Sequence, residues 1–261
     1  TVKASVNVSP TQFLTVRYGR NTNSQVYGIN TRSGPENWGD SENTFNSINV
    51  NHNWVLGGSK LNEFVFQFAD FANYITARTG DARQTFPNGV EVGYNVNTPQ
   101  KTLQDKWQFR NDFSWSVSGM GGLGHSFKAG VNYINEPTLA VNFNTGSSDY
   151  TYVHLTNDIA GPLSSVSLNN DGGDANLPMK QFGVYFQDDW RLTSRLTLNA
   201  GLRYDLVTGF AIDQSIVPNF QKLQAGGQSG LFNGVVGFQE WGPSSKEDYD
   251  NIQPPIGVAW D

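Results

Sequence analysis

The sequence contains no cysteine, only three histidines and no long apolar run. Without cysteine, the chain has neither a disulfide framework nor a thiolate metal site. No stretch approaches the roughly 18 apolar residues that mark a membrane-spanning helix. His52, His125 and His154 lie in unrelated segments, and no HExxH, GxSxG or P-loop motif is present. We therefore expect no enzyme activity, no cofactor and no metal site.

Basic clusters are also missing. The 261 residues carry a net charge of -6, and the pI is about 5.0, which argues against a nucleic-acid partner. The mean hydropathy of -0.45 would suit a soluble protein. It equally suits a transmembrane β-barrel, in which lumen-facing polar residues alternate with lipid-facing apolar ones. Aromatic residues make up 13% of the chain, including 7 Trp and 10 Tyr, which favours the interfacial girdles of a barrel.

Two adjoining segments, 181–192 and 196–207, alternate between apolar and polar residues. Because successive side chains of a strand point to opposite faces, each segment would have one apolar and one polar face. Such strands match the roughly 9–11 residues needed to cross a bilayer, whereas strands of soluble proteins are usually about 5–6 residues long. The apolar faces comprise Phe182, Val184, Phe186, Trp190 and Leu192, then Leu196, Leu198, Ala200, Leu202, Tyr204 and Leu206.

The same period of two predicts nine strands in all. They are Val2–Ser9, Phe13–Arg20, Phe45–Leu56, Leu61–Tyr74, Lys106–Ser118, Phe127–Glu136, Gln181–Leu192, Leu196–Val207 and Ile252–Trp260. The predicted fold class is therefore all-β: a partial antiparallel transmembrane β-barrel of about nine long strands.

The connectors alternate between tight and long. Tight turns contain Gly, Pro, Ser and Thr, whereas the long connectors are 21–44, 75–105, 137–180 and 208–251. Outer-membrane barrels have short periplasmic turns and longer extracellular loops, so the long connectors are predicted to lie outside the cell. Trp54 and Trp190 precede tight turns, where a periplasmic aromatic girdle is expected.

Some residues break the alternation. Asp188 falls on the apolar face of its strand, either because it lies at the membrane interface or because a β-bulge redirects it. Asp70 interrupts a series of alternating phenylalanines, and we expect a bulge or bend there. Gly130, Gly183 and Gly201 fall on polar faces, where they favour either sheet curvature or close approach of another segment.

Aromatic residues in the long loops are the candidates for ligand binding. Trp38, Tyr150, Tyr152 and Trp241 could contact a ligand or could pack within their own loops. The polar faces carry charges that we predict to form cross-strand pairs along the lumen wall: Arg110, Asp112, Lys128, Arg191, Arg203 and Asp205.

The hairpin at 181–207 also carries a family resemblance. The segments YFQDDWR at 185–191, RLTLN at 195–199 and GLRY at 201–204 resemble the barrel of TonB-dependent outer-membrane receptors, most strongly the Oar-like group. Oar-like receptors carry a carboxypeptidase-regulatory-like domain before the plug. The segment NIQPPIGVAWD at 251–261 resembles a later strand of the same barrels.

This resemblance implies a 22-stranded barrel closed by a plug, with ligand import driven through the TonB complex. Residues 1–261 would then form part of one barrel domain, without the plug and the regulatory domain, and the chain would be an internal fragment. The implied partners are membrane lipid and lipopolysaccharide, the protein's own plug, the TonB complex and an extracellular small molecule or glycan. Two alternatives stay open at this point: a passive outer-membrane channel, and a soluble all-β surface protein or adhesin.

Overall fold

The computed structural model describes residues 1–143, 150–168, 173–209, 221–222, 225–226 and 247–261. Its strands are β1 Val2–Ser9, β2 Gln12–Tyr27, β3 Gly39–Val55, β4 Lys60–Ala77, β5 Arg83–Thr85, β6 Glu91–Val92, β7 Gln100–Ser118, β8 Gly124–Phe143, β9 Tyr150–His154, β10 Leu163–Leu168, β11 Asp174–Asn176, β12 Met179–Arg191, β13 Leu196–Thr208, β14 Ile252–Gln253 and β15 Ile256–Trp260. No helix in these ranges is long and apolar enough to cross a membrane.

Eleven strands form one antiparallel sheet with the order β1-β2-β3-β4-β7-β8-β12-β13-β14, in which β11 also pairs with β8 and β15 with β13. Sequential long strands are neighbours, as in an up-and-down barrel wall. The ends of this sheet, β1 and the β14–β15 side, do not meet, so the described residues form an open wall.

The register of the sheet separates two kinds of residue. One row of directly paired, mainly apolar positions crosses eight strands on one face: Ala4, Val16, Val50, Phe66, Phe109, Tyr133, Phe182 and Leu206. The adjoining row lies on the opposite face and is largely polar: Ser5, Thr15, Asn51, Val65, Arg110, Asn132, Gly183 and Asp205. The alternation predicted from the sequence is therefore confirmed across the whole wall.

Neither face of this wall packs on a hydrophobic core. Among the described residues, only Ile75 and Tyr94 are buried hydrophobic side chains, whereas Phe109, Phe182 and Phe186 are 37%, 38% and 45% exposed. An exposed apolar row that crosses eight strands marks a contact with a membrane or with a partner. The row of apolar residues is thus suited to the acyl chains of a bilayer, and the opposite face to a polar lumen.

Aromatic rings gather at the periplasmic end of the apolar face. Trp115 stacks on Phe127 at 5.1 Å between ring centroids, and Phe127 contacts Phe186 at 5.8 Å. Trp190, which precedes the turn between β12 and β13, stacks on His125 at 5.3 Å. These contacts place Trp190 in an aromatic cluster where the sequence predicted a girdle, whereas Trp54, near the end of β3, is 39% exposed.

The strands extend further outward than predicted. Strand β2 continues to Tyr27, β3 begins at Gly39, and β7 begins at Gln100, so the connectors 21–44 and 75–105 are partly strand. These extensions carry polar residues on both faces, and period-two patterning therefore could not reveal them. An amide ladder supports them: Asn43 donates to Asn23 at 2.8 Å, and Asn73 donates to Asn43 at 2.8 Å.

The expected irregularities lie elsewhere. Asp70 pairs in continuous register with β3 and β7, so the prediction of a bulge at this residue was wrong. The register shifts instead between β7 and β8: from Asp105 to Trp107 the chain advances two residues, while the partners run from Thr138 to Asn135, three residues. The additional residue falls beside Pro137, which has no N–H to donate to the ladder.

Asp188 is not in a bulge either, because it pairs in continuous register with β8 and β13. Its Oδ2 lies 2.7 Å from Nδ1 of His125, whose Nε2 lies 3.1 Å from the carbonyl oxygen of Met120. The predicted ninth strand is split into β14 and β15 at Pro254-Pro255.

Candidate functional site

Two extracellular connectors combine into a small second sheet with the order β10-β9-β5-β6. Strand β5 comes from the connector between β4 and β7, and it pairs in parallel with β9 from the connector between β8 and β12. Strands β9 and β10 form an antiparallel hairpin. This extracellular sheet lies beyond the ends of the membrane strands, where loops on a rigid scaffold commonly bind ligands.

One face of the extracellular sheet is uncharged and rich in aromatic and apolar side chains. Tyr152 lies opposite Val166, and Tyr150 lies opposite Leu168, so all four share this face. The two tyrosine rings are 6.1 Å apart between centroids. Tyr150, Val166 and Leu168 are 45%, 50% and 51% exposed. We call this set of four residues the tyrosine face.

The same face is closed at its other end. His154 is 5% exposed and stacks on Phe86 with 4.7 Å between centroids, while its Nε2 lies 2.9 Å from Oε1 of Gln84. Because Gln84 belongs to β5 and His154 to β9, these contacts fix the two connectors to each other. The tyrosine face is therefore held on a packed base and is open outward.

A second set of contacts anchors the connector between β2 and β3. Asn37 is 2% exposed and donates both of its amide hydrogens, to the carbonyl oxygens of Gly93 at 3.0 Å and Tyr94 at 3.1 Å. Arg78 donates to both carboxylate oxygens of Asp40, at 2.9 and 2.6 Å. This hydrogen bonding raises the pKa of the Arg78 guanidinium above its usual range.

The candidate aromatic residues fall into different surroundings. The indole of Trp38 donates to the Ser33 hydroxyl at 3.2 Å, and the Arg78 guanidinium lies 5.9 Å above its ring. Trp38 is thus engaged in loop packing and is half-buried. Tyr150 and Tyr152 are brought together on the tyrosine face, as described above. Trp241 lies outside the described residues.

The lumen face of the wall carries a polar cluster around Asp112. The Tyr185 hydroxyl on β12 donates to Oδ1 of Asp112 on β7 at 2.5 Å, and Arg110 Nε lies 3.0 Å from Oδ2. The side chain of Tyr185 reaches Asp112 by passing over Gly130 of β8. A Cβ atom added to Gly130 would lie 2.5 Å from Cε1 of Tyr185. One tyrosine therefore links three strands, and the glycine provides the space.

This cluster lines a concavity of about 520 Å³ on the lumen face, with Gln108, Lys128, Gln187 and Arg203 around it. The inward glycines are covered by side chains of this wall. Gly183 lies under Asp205, whose Oδ1 would be 2.7 Å from an added Cβ, and Gly201 lies beside Pro255 at 3.1 Å.

The prediction that the charges of the lumen wall pair across strands was wrong, because the pairs form within single strands. Arg110 pairs with Asp112 at 3.0 Å and Arg203 with Asp205 at 2.5 Å, each two residues along the same strand. Residues two apart share a face, and the cross-strand neighbours of Asp205 and Asp112 include Gly183 and Gly130, which carry no charge. Lys128 and Arg191 take part in none of the ion pairs between described residues.

Several residues that organise the extracellular region have no recognisable signal in the sequence. Asn37, Arg78 and His154 organise the loops, but each is a single polar residue in a segment without periodicity. The pairing of β5 with β9 joins residues about 70 positions apart, for example Gln84 and Tyr152. The local sequence offers only the strand-favouring residues TYV at 151–153, which do not show what they pair with.

Together, the long amphipathic strands, the aromatic girdle and the structured outer loops define the wall of an outer-membrane β-barrel. The chain belongs to the family described as outer membrane beta barrel domain, which matches residues 1–261. The protein is therefore located in the outer membrane, and the soluble alternative is excluded. A search of the curated proteins found no match.

Three solved structures share the fold. The outer membrane transporter YddB from Escherichia coli has a TM-score of 0.59 at 15% identity, covering 79% of this chain and 26% of that one. The alcaligin outer membrane receptor FauA from Bordetella pertussis has a TM-score of 0.58 at 12% identity, covering 99% and 32%. P. aeruginosa FpvA, bound to heterologous pyoverdines, has a TM-score of 0.59 at 12% identity, covering 99% and 32%. The chain thus spans about a quarter to a third of each of these proteins.

Proposed function

We propose that this chain is part of the barrel of an Oar-like TonB-dependent receptor, which binds an extracellular ligand and imports it past a plug. In this proposal residues 1–261 form wall and outer loops, and the plug and regulatory domain belong to the rest of the protein. The TonB complex supplies the driving force, and lipid and lipopolysaccharide surround the apolar face. Substrate binding, rather than catalysis, is the role of the chain.

The observation that carries the proposal is the extracellular sheet. A passive pore needs only a polar lumen, whereas this chain devotes two connectors to a packed scaffold that presents the tyrosine face. Tyrosine rings offer a rigid apolar surface with a polar hydroxyl, which suits recognition of small molecules, glycans or peptides. The names of the similar structures agree: they describe a transporter, an alcaligin receptor and a protein bound to pyoverdines.

The concavity around Asp112 supports the second half of the proposal. Its polar groups lie on the lumen face at mid-strand, where a plug or a passing solute would contact the wall. Arg110, Lys128 and Arg203 present hydrogen-bond donors and Asp112 presents an acceptor, so this part of the wall can hydrogen-bond to negatively or positively charged groups.

Conductance in planar bilayers separates a plugged receptor from a channel. The full-length protein, reconstituted in KCl solution, is expected to show no stable open pore, because the plug would fill the lumen. A permanently open conductance would contradict the proposal and favour a passive channel. TonB dependence is tested separately with a purified periplasmic domain of TonB, which is expected to bind the full-length receptor; failure to bind would refute that part of the proposal.

A further inference from the structure

The two edges of the extracellular sheet differ. At one edge, β6 is covered: Ser33 forms a parallel bridge with Glu91, and the Glu91 N–H donates to the Arg32 carbonyl at 2.9 Å. Glu91 also forms an ion pair with Arg83 at 2.9 Å. Both pairing and charge therefore protect this edge from further strands.

At the other edge lies β10, residues Leu163–Leu168, which pairs only with β9 in the part of the chain that the structure describes. All six of its residues are exposed. In a strand with a single partner, alternate residues direct their N–H and C=O groups away from that partner. About half of the backbone groups of β10 therefore have no strand partner among the described residues and can pair with a further strand.

The sequence of β10 offers no protection against such pairing. Natural edge strands are usually blocked by lysine, proline, a bulge within the exposed edge or a covering segment. LSSVSL has no charged residue and no proline. Its irregularity lies near the start, between Leu163 and Ser165, which leaves Ser165–Leu168 in regular pairing.

We propose that the free edge of β10 is a docking site for an extended, uncharged peptide segment of an extracellular partner, which adds a fifth strand to this sheet. This β-augmentation uses backbone hydrogen bonds for affinity and alternate side chains for specificity. Every second peptide side chain would lie beside Val166 and Leu168, at the margin of the tyrosine face, so apolar residues are favoured at those positions. The inference rests on the proposed function, because it assigns the chemical class of ligand that the outer loops recognise.

The test uses the full-length receptor in detergent micelles and a fluorescein-labelled, capped peptide of alternating Thr and Val, seven residues long. The control peptide has the same side chains but carries N-methyl groups on alternate residues, which removes the donors on one edge. We expect the unmethylated peptide to bind and the methylated peptide to bind at least tenfold more weakly. Equal affinity for the two peptides, or no binding of either, would overturn the proposal.

Two matched variants locate the site. Val166→Lys places a charge on the edge strand and is expected to weaken peptide binding at least tenfold. Ile159→Lys adds the same charge to an exposed position, 61% exposed, in the turn between β9 and β10, and is expected to change binding less than twofold. Equal binding by wild type and Val166→Lys would refute the assignment.

Hydrogen exchange in the receptor without peptide provides a measurement that does not depend on a substitution. About half of the β10 amides should exchange rapidly, and the peptide should slow them. Protection of all β10 amides before peptide is added would show that another segment of the protein already covers this edge, and it would overturn the proposal. If the receptor shows no open pore and binds TonB but does not bind the peptide, the docking proposal fails and the proposed function is unaffected.

Discussion

The contact between Gly130 and Tyr185 allows a sharp test of the lumen wall. In Gly130→Ala the new Cβ would overlap the Asp112 carboxylate and lie 2.5 Å from Tyr185 Cε1. Tyr185 would have to move and lose its 2.5 Å hydrogen bond to Asp112, which is 5% exposed. A hydrogen bond to a charged group contributes about 1.5–3 kcal/mol. Alanine recovers about 0.5–1 kcal/mol of glycine's conformational entropy, so a net loss of about 1–2 kcal/mol is expected.

The assay is urea unfolding of the full-length protein in detergent micelles, followed by tryptophan fluorescence. Gly58→Ala is the control, because no atom lies within 4 Å of an added Cβ, and it should leave stability unchanged or slightly higher. Tyr185→Phe should cost a similar amount to Gly130→Ala, and the double variant should cost less than their sum, because both changes remove one bond. If Gly130→Ala were as stable as Gly58→Ala, the reasoning would be refuted.

Three further predictions concern other contacts. Asn62 and Asn111 exchange two 3.0 Å hydrogen bonds on the lipid face, so either single change to Leu should cost about 1–2 kcal/mol in urea unfolding, whereas the double change should be nearly neutral. Asn37→Ala should open the extracellular connector at 93–94 and speed its proteolysis at least tenfold; an unchanged cleavage rate would contradict this. Arg78→Ala should leave the midpoint of urea unfolding nearly unchanged, because Arg78 and Asp40 are 27% and 52% exposed and water screens their ion pair; a clear drop in the midpoint would contradict this.

The membrane part of the wall was predictable because one physical pattern governs it. Residues such as Phe64, Phe66 and Phe68 face lipid while their neighbours face the lumen. Apolar residues therefore recur at every second position of the sequence. The turns were visible for a similar reason, since Gly57-Gly58 or Thr193-Ser194 cannot continue a strand easily.

The extracellular part was less predictable because neither face of its strands meets lipid. At 21–27 every residue up to Gln25 is polar, and pairing there continues a register set within the membrane, helped by the Asn23–Asn43–Asn73 ladder. The small sheet depends on contacts between distant connectors, such as His154 with Phe86. Of the candidate site, the sequence indicated the tyrosines, but neither their shared face nor the free edge of β10.

The central claim is that one face of this wall meets lipid and the other a polar lumen, and two neighbouring residues of β12 test it most directly. Phe186 and Gln187 are both exposed, on opposite faces. Since residues 1–261 contain no cysteine, single substitutions Phe186→Cys and Gln187→Cys can each carry a fluorophore in the full-length protein in lipid vesicles, once any cysteine elsewhere is replaced. Brominated lipid should quench the label strongly at 186 and weakly at 187; equal quenching at both positions would contradict the account.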